Sequence, residues 1–115
     1  MRYSTFDRLY NEAKEYTSVN RYIAERGWQP WMSSFNDGDL GNVLTYIYEV
    51  AHEGFTAAEK AYTYPTVKRI SEMFDVAYQT VQRWHTGVAT PSESTLRLLC
   101  FAAVSDMEID PESEE

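Results

Sequence analysis

The chain has one cysteine, Cys100, in 115 residues. A lone thiol excludes an internal disulfide and a multi-cysteine zinc site. Five glycines and four prolines are too few for a loop-built or collagen-like chain, and most fall where they punctuate helices. No apolar run approaches the ~18–20 residues of a membrane span, and the opening MRYSTFDRLY lacks the apolar stretch of a signal peptide. A cytoplasmic protein without membrane contact is the expectation. The sequence also lacks a Gly-rich phosphate loop and any nucleophile–base set, so an enzyme is not expected. Basic residues are scarce as well: ten Lys and Arg stand against eighteen Asp and Glu, a net charge of −8. Spread evenly, that charge would argue against a polyanionic partner.

It is not spread evenly. Residues 106–115, DMEIDPESEE, hold six carboxylates and no base. Such a segment, with Pro111 and little apolar surface, reads as a disordered acidic tail. Residues 66–105 carry Lys68, Arg69, Arg83 and Arg97 against Glu72, Asp75 and Glu93, a balance of +1. The body of the chain is therefore near neutrality and its last third slightly basic. A hydrophobic content of 43% suits one compact domain that forms a core without staples.

Hydrophobic periodicity is helical throughout and never alternates over a strand's length, so the predicted fold is all-α. Ser4 is placed to cap a first helix bearing Phe6, Leu9, Tyr10 and Ala13. Ser18 caps a second with Val19, Tyr22 and Ile23, which Gly27 ends. GWQPWMSSFNDGD breaks periodicity and reads as loop. Asp39 then caps a third helix striped by Leu40, Val43, Leu44, Ile47 and Ala51, closed by Gly54. Thr56-Ala57-Ala58-Glu59 has the form of a capping box. Pro65 and Thr66 open a helix whose Val67, Ile70, Met73 and Phe74 point inward. YQTVQRWH forms the next helix and Gly87 stops it. Thr90-Pro91-Ser92 starts the last one, so apolar that burial on two sides is predicted, either under the N-terminal half or in a homodimer.

Residues 67–104 carry the functional information. Two short helices about three residues apart, then a glycine, a proline and a longer apolar helix, form the layout of a helix-turn-helix unit. Ile70, Phe74, Val76, Val81 and Trp84 can converge on one small core that fixes the crossing of the two helices. The opposite face of the second helix then offers Tyr78, Gln79, Gln82 and Arg83 to a major groove. Gln pairs with an adenine edge and Arg with guanine. Lys68 and Arg69, in the first turn of the preceding helix, suit phosphates, and His85 at the end of the second helix is a further phosphate contact.

The segment resembles the phage-repressor/Cro-like helix-turn-helix family, through Ile70-Ser71-Glu72, Phe74-Asp75-Val76, Thr80-Val81-Gln82-Arg83-Trp84, Gly87 and Pro91. With the Thr56–Tyr62 helix included, the resemblance spans about residues 56–104. It departs from the family pattern at Asp75, in place of the turn's usual glycine, at Ser71, for a small alanine, and at Ala77, for a capping Ser or Thr. The resemblance implies a Cro/repressor-like bundle, sequence-specific binding of double-stranded DNA as a homodimer, and transcriptional repression. The N-terminal 55 residues carry no recognised family pattern; their nearest resemblance is to small helix-turn-helix proteins of bacterial mobile elements. The expected organisation is an N-terminal helical extension (1–55), the helix-turn-helix domain (56–105) and the acidic tail (106–115).

A different class of function stays open: a protein-binding adaptor or inhibitor that keeps the fold without reading DNA. The total charge, the uncapped Ala77 and the aromatic-rich N-terminal half, with Trp28 and Trp31 three apart, favour it. Those rings either plug the N-terminal helices onto the bundle or form a partner surface. Glu49 and His52 have the E-x-x-H spacing of helical metal sites, but no second such motif faces them, and a surface pair is expected. Cys100 lies among apolar residues without a cationic partner and reads as a buried small hydrophobe. No cofactor and no metal are expected.

Overall fold

The computed structural model of the chain describes residues 1–26 and 37–107, with side chains in the second span from residue 40 onward. Among the described residues the protein is all-α, with seven α-helices, one 3₁₀ turn and no strand. The helices are α1 (Tyr3–Ala13), α2 (Val19–Arg26), α3 (Asp37–Glu53), α4 (Phe55–Ala58), α5 (Thr66–Phe74), α6 (Tyr78–Thr86) and α7 (Glu93–Met107), with the 3₁₀ turn Glu59–Ala61 after α4.

Several helix ends follow their local chemistry. The Ser18 hydroxyl accepts the Arg21 N–H at 3.5 Å, and Ser92 Oγ accepts the Thr95 N–H at 3.2 Å to start α7. Gly54 (φ 78°) separates α3 from α4, and Gly87 (φ 82°) ends α6; both take a left-handed conformation that glycine adopts without a steric penalty. Three caps expected from sequence are not used. Ser4 lies inside α1, which begins at Tyr3 with no side-chain cap. Asp39 lies inside α3, which begins at Asp37. Thr56 lies inside α4, so Thr56 and Glu59 do not form a capping box. At α4 the deciding residue is Phe55, which is buried and packs edge-on against Trp84. Burying that ring is worth about 1.5–3 kcal/mol, more than the ~1 kcal/mol of a cap, so the helix starts two residues early, with Gly54 in place of Thr56 at its N-cap. Gly27, Trp28, Trp31 and the rest of the expected loop at 27–36 lie outside the described residues, as does most of the acidic tail. The tail's first two residues, Asp106 and Met107, continue α7.

α3 is the centre of the fold. Val43, Leu44, Ile47 and Val50 along it are fully buried, and α1, α2, α4 and α7 all pack against it. The core is one cluster that runs from Phe6 to Val104. Tyrosines join its elements. The hydroxyl of Tyr22 donates to the Leu9 carbonyl at 2.9 Å, that of Tyr46 to Ala58 at 2.8 Å and that of Tyr62 to Leu99 at 2.7 Å. Each ring removes a large apolar area from water while its hydroxyl stays satisfied. Burial accordingly pushes all three hydroxyls well above the ordinary tyrosine range.

The N-terminal rings that lie among the described residues plug helices onto the bundle. Phe101 of α7 meets Tyr3 and Phe6 of α1 at 5.1 and 5.3 Å. Arg97, stacked over the Tyr10 ring at 4.6 Å, reaches Asp7 and Asn11 of α1 and Glu93 of its own helix. Lys14 closes the same seam by pairing with Glu93. The apolar surface of α7 thus receives the N-terminal half on one side, leaving Leu98 exposed. One inward assignment fails on α5. Val67 and Ile70 are buried, but Met73 is 54% exposed, because it sits at the edge of the helix beside the end of α7 rather than under it.

Candidate nucleic-acid interface

α5 and α6 are joined by three residues, Asp75, Val76 and Ala77. Asp75 takes the left-handed conformation (φ 52°, ψ 46°), and its N–H donates back to the Ser71 carbonyl. The Val76 N–H donates to the same carbonyl at 3.1 Å, the bonding pattern of a Schellman-type helix end. Ser71 Oγ donates in turn to the Val76 carbonyl at 2.7 Å. The turn is therefore held from both sides by one residue of α5. Ala77 supplies a carbonyl to the N–H groups of Thr80 and Val81 but no side-chain cap.

The five predicted core positions all face the molecule's core cluster. Ile70 and Val81 are fully buried, and Phe74, Val76 and Trp84 lean on the same cluster. Phe74 faces Tyr62 edge-on at 6.3 Å, and Trp84 faces Phe55 at 5.6 Å. These contacts tie α5 and α6 to the 55–62 segment and, through Tyr62, to α7. With Val81 and Trp84 turned inward, Tyr78, Gln79, Gln82 and Arg83 are all exposed. Spaced i, i+1, i+4 and i+5, they occupy one face of the helix. Their arrangement is a short polar surface on a helix anchored from behind.

The ion pairs divide the cations into two groups. Arg8 and Arg26 pair with Glu12, Arg21 with Glu25 at 2.8 Å, Lys14 with Glu93, and Arg97 with Asp7. The Arg21 guanidinium, with the Tyr16 hydroxyl, holds the Glu25 carboxyl below its usual range. Lys60, Lys68, Arg69 and Arg83 enter no ion pair among the described residues, although exposed Glu72 and Asp75 lie near in sequence. Apart from Arg2, the uncommitted positive charges therefore belong to the 56–86 segment. His85 has a different situation. Its Nδ1 lies 2.6 Å from a carboxylate oxygen of Glu59, so this predicted phosphate contact is already engaged by an acid.

The remaining sequence candidates have structural partners. His52 Nε2 contacts the Ala13 carbonyl at 2.8 Å and its ring stacks on Tyr48 at 4.2 Å, which docks α1 on α3. Among the described residues no group of three His, Cys, Asp or Glu is placed to hold a metal. Cys100 is fully buried and burial raises its thiol far above the ordinary value, which deprives it of thiolate. Sequence reasoning missed the Ser71 clamp, the Glu59–His85 contact and the Arg97 hub. The last two join residues 26 and 90 positions apart, and no local pattern encodes such pairs.

Compared with protein families, curated proteins and solved structures, the chain matches none.

Proposed function

We propose that the protein is a sequence-specific DNA-binding regulator, with α5 and α6 as a helix-turn-helix of repressor/Cro type and α6 entering the major groove. The observation that carries this reading is the composite face of α6. Four exposed side chains able to address base edges or the backbone stand on a helix fixed from behind by Val81 and Trp84. The cations nearest to it in sequence, Lys68 and Arg69, have no ion-pair partner among the described residues. In this role Gln79, Gln82 and Arg83 contact bases, Tyr78 reaches a phosphate, sugar or thymine methyl, and Lys68 and Arg69 hold phosphates. Three cations per chain supply little of the electrostatic affinity that DNA binding draws on. A homodimer on two half-sites about 34 Å apart doubles that number. Repression in the cytoplasm is the corresponding biological role.

The test is a mobility-shift series on DNA from the gene's own promoter region. The double variant Gln79→Ala, Arg83→Ala is expected to bind cognate and scrambled duplexes alike. Lys68→Gln with Arg69→Gln is expected to weaken both and to reduce the salt slope by about one for each phosphate no longer neutralised. Intact protein that retards random and promoter DNA equally contradicts the proposal.

One set of features favours the adaptor alternative. Exposed Glu72 and Asp75 flank the turn, and Glu59 occupies His85. On that reading no duplex is retained at any salt concentration, and the α6 face binds a protein instead.

A further inference from the structure

His85 stands near the end of α6, in line with Tyr78 and Gln82. Their i, i+4, i+7 spacing sets three exposed side chains along one side of the helix, over about 10 Å. The 3₁₀ turn holds the His85 ring: its Nδ1 lies 2.6 Å from a carboxylate oxygen of Glu59. The Glu59 side chain is 17% exposed and that of His85 47%. An ionised carboxylate only accepts hydrogen bonds, and two lone pairs at that distance repel. The proton of this contact therefore sits on Nδ1, and His85 donates it to Glu59. Nε2, on the other side of the ring, has no partner among the described residues. His52 is the opposite case. Its Nε2 meets the Ala13 carbonyl, which also only accepts, so there Nε2 carries the proton.

A neutral ring with its proton on Nδ1 presents a bare Nε2, which accepts a hydrogen bond and repels a phosphate oxygen. On the α6 face such an atom complements an exocyclic amino group. The major groove offers two, N6 of adenine and N4 of cytosine. We propose that Glu59 is a positioning residue that fixes His85 as an acceptor, and that His85 reads the amino group of an adenine or cytosine at the end of the stretch α6 covers. His85 then belongs with the base contacts, and phosphate is left to Lys68 and Arg69. The form of the ring rests on its contact with Glu59 alone. The base contact rests on the proposed DNA-binding function.

The experiment uses the full chain at about pH 8.5, above the ordinary imidazole range, in two arms. In the first, two-bond proton–nitrogen NMR spectra resolve the chain's two histidines, with His85→Ala assigning the signals. His85 is expected to show a protonated Nδ1 and a bare Nε2, and His52 the reverse. Glu59→Ala is expected to shift His85 alone, toward the Nε2-protonated form that a free imidazole side chain favours. A proton on Nε2 of His85 in the parent protein overturns the positioning role, whatever the protein does with DNA. In the second arm, the duplex motif enriched by the parent protein is compared with those of Glu59→Ala and His85→Ala. Removing the Glu59 charge strengthens binding to all sequences alike, so the readout is discrimination between bases. Both variants are expected to lose about two- to tenfold of preference at the same single base pair, as one hydrogen bond supplies. Deleting the amino group of that adenine or cytosine is expected to cost the parent protein the same factor. Unchanged preference with His85→Ala overturns the base contact, and preference lost with His85→Ala but kept with Glu59→Ala overturns the part of Glu59. Rings in the expected form in a protein that enriches no sequence sustain the Glu59–His85 assignment and remove the DNA-reading function instead, the base contact with it.

Discussion

Asp75 and Ala77 bracket the connection between α5 and α6, and neither is the residue that backbone geometry prefers. Asp75 holds a left-handed conformation (φ 52°) that suits glycine best but that Asp and Asn tolerate better than other residues. Ala77 precedes α6 in an extended conformation with no side chain able to accept an N–H. The clamp from Ser71 Oγ to the Val76 carbonyl offsets part of this cost, because it fixes the turn from the α5 side. Ala77→Ser supplies the missing cap and is expected to raise stability by about 0.5–1 kcal/mol. Urea unfolding should show a higher midpoint with an unchanged slope. A lower midpoint would mean that the start of α6 is already satisfied in another way.

At the scale of elements, the seam between α1 and α7 brings α1 onto the same bundle as α5 and α6. Arg97 and Lys14 both meet Glu93, and the Lys14 ammonium, with help from Arg97, holds the Glu93 carboxyl below its ordinary value of 4.5. A lowered folded-state value means that the pair stabilises the fold fully above that ordinary value. The stabilisation is lost as pH falls through the lower, folded-state value. Glu93→Gln is therefore expected to cost a constant amount near neutrality, at most ~1 kcal/mol for so exposed a pair. The difference from the parent protein should shrink toward zero in unfolding curves taken at successively lower pH below 4.5. A difference independent of pH would exclude the charge as its source. Much of this level was legible in the sequence. The stripes of α1 and α3, Ser18, Ser92, Gly54 and Gly87 each announce themselves locally, and the burial of Ile70 and Val81 could be read from spacing alone. The start of α4 could not, because it depends on Phe55 finding Trp84, 29 positions away in the chain. Met73 departs from its predicted place for a similar reason: its exposure depends on where α7 ends, which periodicity within α5 does not reveal.

At the scale of the whole molecule, the distribution of charge matters more than its total. Most of the cations of the first two helices, together with Arg97, are consumed by ion pairs that build the fold. Lys60, Lys68, Arg69 and Arg83 are left uncommitted among the described residues. The acidic surplus lies largely in residues 106–115, which begin beside Arg69 at the end of α7. A net charge of −8 is thus compatible with a DNA-facing α6, provided that base contacts supply the discrimination and phosphates only modest affinity. The most direct test is selection from a pool of randomised duplexes at low salt, run in parallel with the intact protein and with the Gln79→Ala, Arg83→Ala variant. The intact protein is expected to enrich a short motif repeated about one helical turn apart, and the variant to enrich none. Failure of the intact protein to enrich any sequence, or the same motif recovered with the variant, would contradict the assignment of α6 as the reading helix.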